Sequence, residues 1–179
     1  MLFRSPNADQ LVNTVLQSAQ YQLVEPQWAS LVEQWKKDAI AVFGCTARTA
    51  SKFIDRTIKH LSSLDVSFTG FQSSLPHFQY GVLFCSTTPK GIALLDLLPE
   101  LTQDIKTVIM IDDRVDHLES ISAAIAQWNL LHATNIDFVG FHYTAAHYLD
   151  NALDINVVER QLAHLIETGT YLSDIAAAA

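Results

Sequence analysis

The stretch Thr107-Val-Ile-Met-Ile-Asp-Asp-Arg-Val-Asp116 constrains the architecture of this chain more than any other. An apolar, largely β-branched run ends abruptly in two adjacent carboxylates, Asp112 and Asp113, and a helical pattern follows. Such a run reads as a buried parallel strand, and acids at its carboxyl end lie where open α/β sheets hold their ligands. Two carboxylates side by side repel, so both stay ionised only beside a cation or strong hydrogen-bond donors. A hard divalent ion with oxygen ligands, Mg²⁺ above all, is the simplest such partner. The competing explanation is structural, because Asp is favoured at a helix N-terminus.

The rest of the chain supplies the frame for that strand. Two helical patterns come first, over Ala8–Gln22 and from Pro26 to Lys37. Strand and helix then alternate: strand Ala39–Gly44, helix Thr49–Leu61, strand Val66–Phe68, and strand His77–Cys85 with Gly81 at a turn or bulge. Helix Lys90–Leu98, strand Val108–Ile111, helix His117–Trp128, strand Ile136–Phe141 and helix Val157–Glu167 complete the order. This alternation predicts one α/β domain over residues 1–179, a mostly parallel sheet flanked by helices.

Composition narrows the function classes. Hydrophobic residues make up 49% and charged residues 17% of 179, enough for a sizeable core and too apolar for disorder. A formal charge of −8 without a basic stripe argues against a general nucleic-acid binder. No apolar run approaches the ~20 residues of a membrane span. The opening Met-Leu-Phe-Arg-Ser-Pro is broken by a charge and a proline, so it does not read as a signal peptide, and the compartment stays open. Cys45 and Cys85 each end an apolar run and read as buried thiols rather than a disulfide.

Three strand ends carry side chains with chemistry. Thr46, Ala47 and Arg48 follow the first strand, Lys90 opens a helix after Thr87-Thr88-Pro89, and Asp112-Asp113 end the later strand. A hydroxyl and an ammonium suit phosphate oxygens, and paired carboxylates suit Mg²⁺. Each has a plainer explanation. Thr46 could cap the following helix, and Arg48 and Lys90 could be surface groups. Lys90 nevertheless opposes its helix dipole, which hints at an anionic partner. His142 and His147 lack the spacing of a helical metal pair and read as ordinary hydrogen-bonded histidines. His117 reads as a solvated helix start. Trp28, Trp35 and Trp128 read as core.

In this order, Thr46, Lys90 and Asp112/Asp113 resemble three of the four motifs of the haloacid dehalogenase-like (HAD) superfamily of Mg²⁺-dependent phosphatases and phosphotransferases. More narrowly, Val42-Phe-Gly-Cys-Thr-Ala-Arg48, Gly81-Val-Leu-Phe with Lys90-Gly91, and Ile111-Asp-Asp with Val139-Gly-Phe-His-Tyr-Thr144 are similar to a bacterial family of HAD-like proteins labelled DUF2608. The resemblance implies a HAD-like Rossmannoid fold, with residues 1–37 a helical cap remnant or linker and 38–179 the core. It implies Thr46 and Lys90 as catalytic groups, Thr46, Ala47 and Lys90 as phosphate-binding, and Asp112 and Asp113 as Mg²⁺ ligands. Arg48 and Asp116 would support these groups from behind. A phosphorylated small molecule is the implied substrate class, and a protein partner the implied alternative.

One departure limits that expectation. The superfamily's first motif, Asp-x-Asp-x-Thr at the end of a central strand, supplies the nucleophile and the general acid/base, and this sequence contains none. Asp55, Asp65 and Asp116 are not convincing substitutes. In the implied strand order 5-4-1-2-3, the missing strand lies between the strand before Thr46 and the strand before Asp112. Its loss would leave a lane about 9–10 Å wide, given ~4.8 Å between neighbours. The flanking strands would then close up, accept another segment, or go unpaired. Truncation at the amino end and a pseudoenzyme are the two expectations, and Mg²⁺ affinity is expected to be weak in either.

Overall fold

The computed structural model describes residues 21–101, 105–145, 154–170 and 172–178. All but the last two residues of the helix expected over Ala8–Gln22 lie outside that set, as does His147. The chain divides into two compact units, residues 23–144 and residues 1–22 with 145–179.

The 23–144 unit begins with α1 (Trp28–Lys37), whose Trp28 and Trp35 rings pack edge to face at 6.0 Å. After a turn at Ala39 (φ 59°), residues 40–43 carry no ladder partner, and only Gly44–Thr46 forms a paired strand, β1. α2 follows at Ala50–Ser63. The strand expected at Val66–Phe68 is absent. That segment leaves a left-handed turn at Asp65 (φ 56°) and, among the described residues, pairs in no ladder. β2 (Phe78–Gln79) and β3 (Val82–Phe84) form a hairpin in which Gln79 faces Val82. Its two-residue loop, Tyr80 (φ 53°) and Gly81 (φ 75°), has both residues at positive φ, as a tight hairpin following strand twist requires. A Cβ on Gly81 would also lie 1.8 Å from the Phe68 carbonyl oxygen. β1 joins this hairpin in parallel, with Thr46 opposite Phe84, giving a sheet of order β1-β3-β2.

α3 (Lys90–Leu97) leads through a 3₁₀ turn to β4 (Thr107–Asp112), then α4 (Val115–His132) and β5 (Asp137–His142). β4 and β5 pair in parallel from Thr107–Asp137 to Asp112–His142 and form a second sheet. The entry to β5 is set by one side chain. Asn129 Nδ2 donates to the Ile136 carbonyl while its Oδ1 accepts from the Ile136 N–H, each at 2.9 Å. The fold is therefore mixed α/β with two small open sheets. Among the described residues β1 and β4 are not hydrogen-bonded to each other, so the expected lane between them is neither closed nor filled by a described strand.

α3 occupies the ground between the sheets. Ala93 and Leu97 pack with Phe78, Leu83 and Cys85 of the hairpin sheet. Leu94, on the helix's other side, packs with Leu98, Ile121, Ile125 and Ile136 towards α4 and the β4–β5 layer. Phe43 touches both clusters. An apolar helix with both sides covered is buried along most of its length, as Leu97 at 0% exposure illustrates. Gly91 lets α3 meet α4 backbone to backbone. Its N–H donates to Ser120 Oγ at 3.0 Å, and a Cβ there would lie 2.0 Å from the Ser120 carbonyl oxygen.

The second unit contributes α5 (Ile155–Thr168) and α6 (Asp174–Ala178) among the described residues. Asp154 caps α5, accepting the Asn156 N–H, and Gly169 ends it at φ 71°. Among the described residues no helix is long and apolar enough to cross a membrane.

Candidate functional site

Because α3 runs between the sheets, its first residue lies between the carboxyl ends of β1 and β4. Lys90 is 7% exposed, so the surface-lysine reading is wrong. Its Nζ donates to Asp112 Oδ2 at 2.5 Å and reaches the Cys45 carbonyl oxygen at 3.4 Å. The anionic partner that its place at a helix N-terminus called for is Asp112, itself 8% exposed.

Asp112 is saturated with donors. Oδ1 accepts the Arg114 backbone N–H at 2.9 Å and stands 2.9 Å from His117 Nδ1. A carboxylate only accepts, so His117 carries its proton on Nδ1 there. Burial on its own pushes the Asp112 carboxyl up. The hydrogen bonds from Lys90, Arg114 and His117, with the Lys90 charge, outweigh burial and hold it below the usual carboxylate value. Asp112 thus does two jobs: it holds the backbone N–H of Arg114, the N-cap of α4, and it neutralises Lys90.

His117 is the residue that sequence reasoning missed. It is not a solvated helix start but lies half-buried against Asp112. The available signal was its place in the first turn of α4, since helical side chains lean back towards the N-terminus and so towards the preceding strand end.

The other expected residues sit differently. Thr46 is half-buried at the end of β1, directly after Cys45, and its Oγ1 accepts the Arg48 N–H at 3.2 Å. Ala47 is exposed. The Arg48 guanidinium turns to α2, donating to Thr57 Oγ1 at 3.1 Å and standing 3.5 Å from His60 Nδ1. Asp116 is exposed and pairs with Arg114 at 2.5 Å. Asp113 is exposed, and its backbone carbonyl lies 3.1 Å from His142 Nε2. Lys90 and Asp112 therefore meet directly beside the Thr46 segment, while Arg48 and Asp116 are taken up by local partners.

In donor chemistry Asp112 and Asp113 fit a hard cation, which commonly takes one or two carboxylates and completes its shell with water. The fit is partial. Lys90 occupies Asp112 Oδ2, and among the described residues no three His, Cys, Asp or Glu side chains gather as a metal-ligand group. A cavity of about 450 Å³ lies elsewhere, at the opposite end of β4 against Lys106, Trp128 and Ile136. It shares no residue with the Lys90–Asp112 pair.

A family model matches residues 8–177, nearly the whole chain. This chain belongs to DUF2608, a family described as proteins of unknown function. The DUF2608 chain is 22% identical over 176 residues to an uncharacterized protein of Rickettsia prowazekii (strain Madrid E). That match covers 89% of this chain and 62% of the relative, so the chain spans under two thirds of the relative's length. No solved structure matches this DUF2608 chain.

Proposed function

We propose that this is a HAD-like Rossmannoid domain of the Mg²⁺-dependent phosphatase and phosphotransferase type, incomplete and inactive as the chain stands. One observation carries the reading: the Lys90 ammonium links the β1 end beside Thr46 to Asp112 at the end of β4. Three segments far apart in sequence thus meet: the Cys45 carbonyl next to Thr46, the Lys90 cation and the Asp112 carboxylate. In this reading Lys90, the Thr46 hydroxyl and the Ala47 N–H take phosphate oxygens, while Asp112 and Asp113 hold Mg²⁺, which would offset phosphate charge. Among the described residues no carboxylate stands in for the Asp-x-Asp-x-Thr nucleophile, so an aspartyl-phosphate route is closed to these residues alone. Among the described residues β1 and β4 each keep an edge without a ladder partner, and a further strand there would supply it.

The test is phosphate binding and turnover measured side by side. Inorganic phosphate with Mg²⁺ is expected to raise the melting temperature of this chain. Lys90→Met and Thr46→Val should weaken that binding by about tenfold or more, the worth of a charge-assisted hydrogen bond. p-Nitrophenyl phosphate should not turn over with this chain but should with a longer family member carrying the missing motif. Phosphate binding indifferent to both substitutions would sink the reading.

A second reading, a non-catalytic interaction protein, is favoured by a different observation. Ile109, Ile111, Val139 and Phe141 share one exposed face of the β4–β5 sheet, with Ile109 62% and Phe141 55% exposed. Contiguous apolar patches of that kind mark contact surfaces. This reading predicts no phosphate-ester hydrolysis even in the longer protein.

A further inference from the structure

We infer that Cys45 and Cys85 form a reversible oxidation site that closes to an intramolecular disulfide when the chain meets a peroxide. The inference stands on the two thiols and does not depend on the phosphoryl reading.

Cys45 lies in β1 opposite Leu83, and Cys85 follows directly after β3, two residues beyond Leu83. Residues two apart on a strand face the same side, so both sulfurs emerge on one face of the β1–β3 pair. Their Sγ atoms are 3.5 Å apart. They are the two cysteines of the whole chain, and both are free thiols. No third cysteine can divert the pair. Cys85 is buried against Leu83, Ala93 and Leu97, and the half-buried Cys45, its sulfur 3.5 Å away, marks the side from which a small oxidant reaches the Cys85 sulfur.

Their electrostatics divide the labour. The hydrogen bond from Cys45 lowers the Cys85 thiol, burial opposes, and the Lys90 ammonium lowers it further, leaving it below the ordinary thiol value. The same bond, with burial and the Cys85 charge, pushes Cys45 up. Cys85 therefore gives up its proton more readily than Cys45.

The reaction balances with hydrogen peroxide as the oxidant. The Cys85 thiolate attacks one peroxide oxygen, the O–O bond breaks, and hydroxide leaves a sulfenic acid on Cys85. The Cys45 sulfur then attacks the Cys85 sulfur, the S–O bond breaks, and the hydroxyl departs with the Cys45 proton as water. Two electrons pass from the thiols to the peroxide, one S–S bond forms, and a thiol reductant reverses the change. Closing from 3.5 Å to a bond of about 2.05 Å draws the two strand ends together. The Cys45 carbonyl that meets Lys90 moves with them, so the redox state is felt at the candidate site.

The test uses the full chain, reduced and then treated with hydrogen peroxide before acid quench and alkylation. Expected results are titratable thiols falling from two to zero, a mass loss of two hydrogens, and a peptide joining Cys45 to Cys85. Dithiothreitol should restore both thiols. Closure should be at least about tenfold faster in the folded chain than in concentrated urea, because the fold holds the sulfurs in reach. Two surviving thiols, sulfinic or sulfonic acid on separate cysteines, a disulfide-linked dimer, or faster closure in urea would each overturn the inference. The wild-type chain suffices, so the result does not hinge on whether Cys45→Ser or Cys85→Ser folds.

Discussion

Lys90→Met is the most decisive perturbation of this fold. Lys90 and Asp112 are 7% and 8% exposed, and their charged atoms meet at 2.5 Å. Removing one partner of such a pair leaves a buried, uncompensated charge, which costs ~3–5 kcal/mol. Asp112 keeps the Arg114 N–H and His117 on Oδ1, which places the expected loss near the lower end, about 3 kcal/mol. For a chain of this size that is a fall in melting temperature of roughly 6–12 °C. Urea denaturation followed by circular dichroism measures it, with Asp112→Asn and the double variant closing a cycle. The double variant buries no unpaired charge, so it should recover about 2–3 kcal/mol relative to the sum of the singles. The pH dependence has a definite sign. The native Asp112 carboxyl lies below its ordinary 3.8, so its contribution is fully present above that value and disappears as pH falls through the lower native one. Without Lys90 the native value rises and that contribution shrinks, so wild type and variant should converge on acidification. A loss under ~1 kcal/mol, the worth of an exposed pair, or a gap that does not narrow as pH falls below 3.8, would refute the buried-pair argument.

Other perturbations test the surroundings of the pair. Gly91→Ala would bring a methyl to 2.0 Å from the Ser120 carbonyl oxygen, forcing α3 and α4 apart at a cost of about 3 kcal/mol or more in chemical denaturation. Stability within ~0.5 kcal/mol of wild type would contradict that close approach. Leu97→Ala removes a fully buried side chain from the helix between the sheets and should cost ~2–5 kcal/mol, read as a lower urea midpoint. Calorimetry should find weak Mg²⁺ binding to the native chain and several-fold tighter binding to Lys90→Gln, which frees Asp112 Oδ2. Unchanged affinity would remove Asp112 from cation binding.

The lack of a ladder between β1 and β4 among the described residues links the fold to its candidate chemistry. A strand gains little until a neighbour satisfies its backbone, which is why residues 40–43 have no ladder although their sequence is apolar and β-branched. Val66–Phe68, whose residues suit a strand, likewise pairs in no ladder among the described residues. Helices were easier to read, since their hydrogen bonds are local. Ala50–Ser63 and Ile155–Thr168 fall within two residues of the bounds expected from apolar spacing. β4 was legible because a β-branched run ending in two acids has few other uses.

By itself the sequence determined most of the succession of elements from residue 28 on, though not the loss of a strand at Val66–Phe68, together with the residue types at each strand end and the absence of an Asp-x-Asp-x-Thr motif. Those features depend on spacing and composition along the chain. Tertiary structure decided which of the candidate groups meet. Lys90 and Asp112 are 22 residues apart and join because α3 is apolar on both sides and is buried between two sheets. Arg48 and Asp116, equally plausible in sequence, found closer partners in Thr57 and Arg114. His117 was drawn in by the lean of helical side chains towards the strand before them. The physical reason is common to all three: burial makes an unpaired charge or donor costly, and only the packed fold determines which partner is within reach.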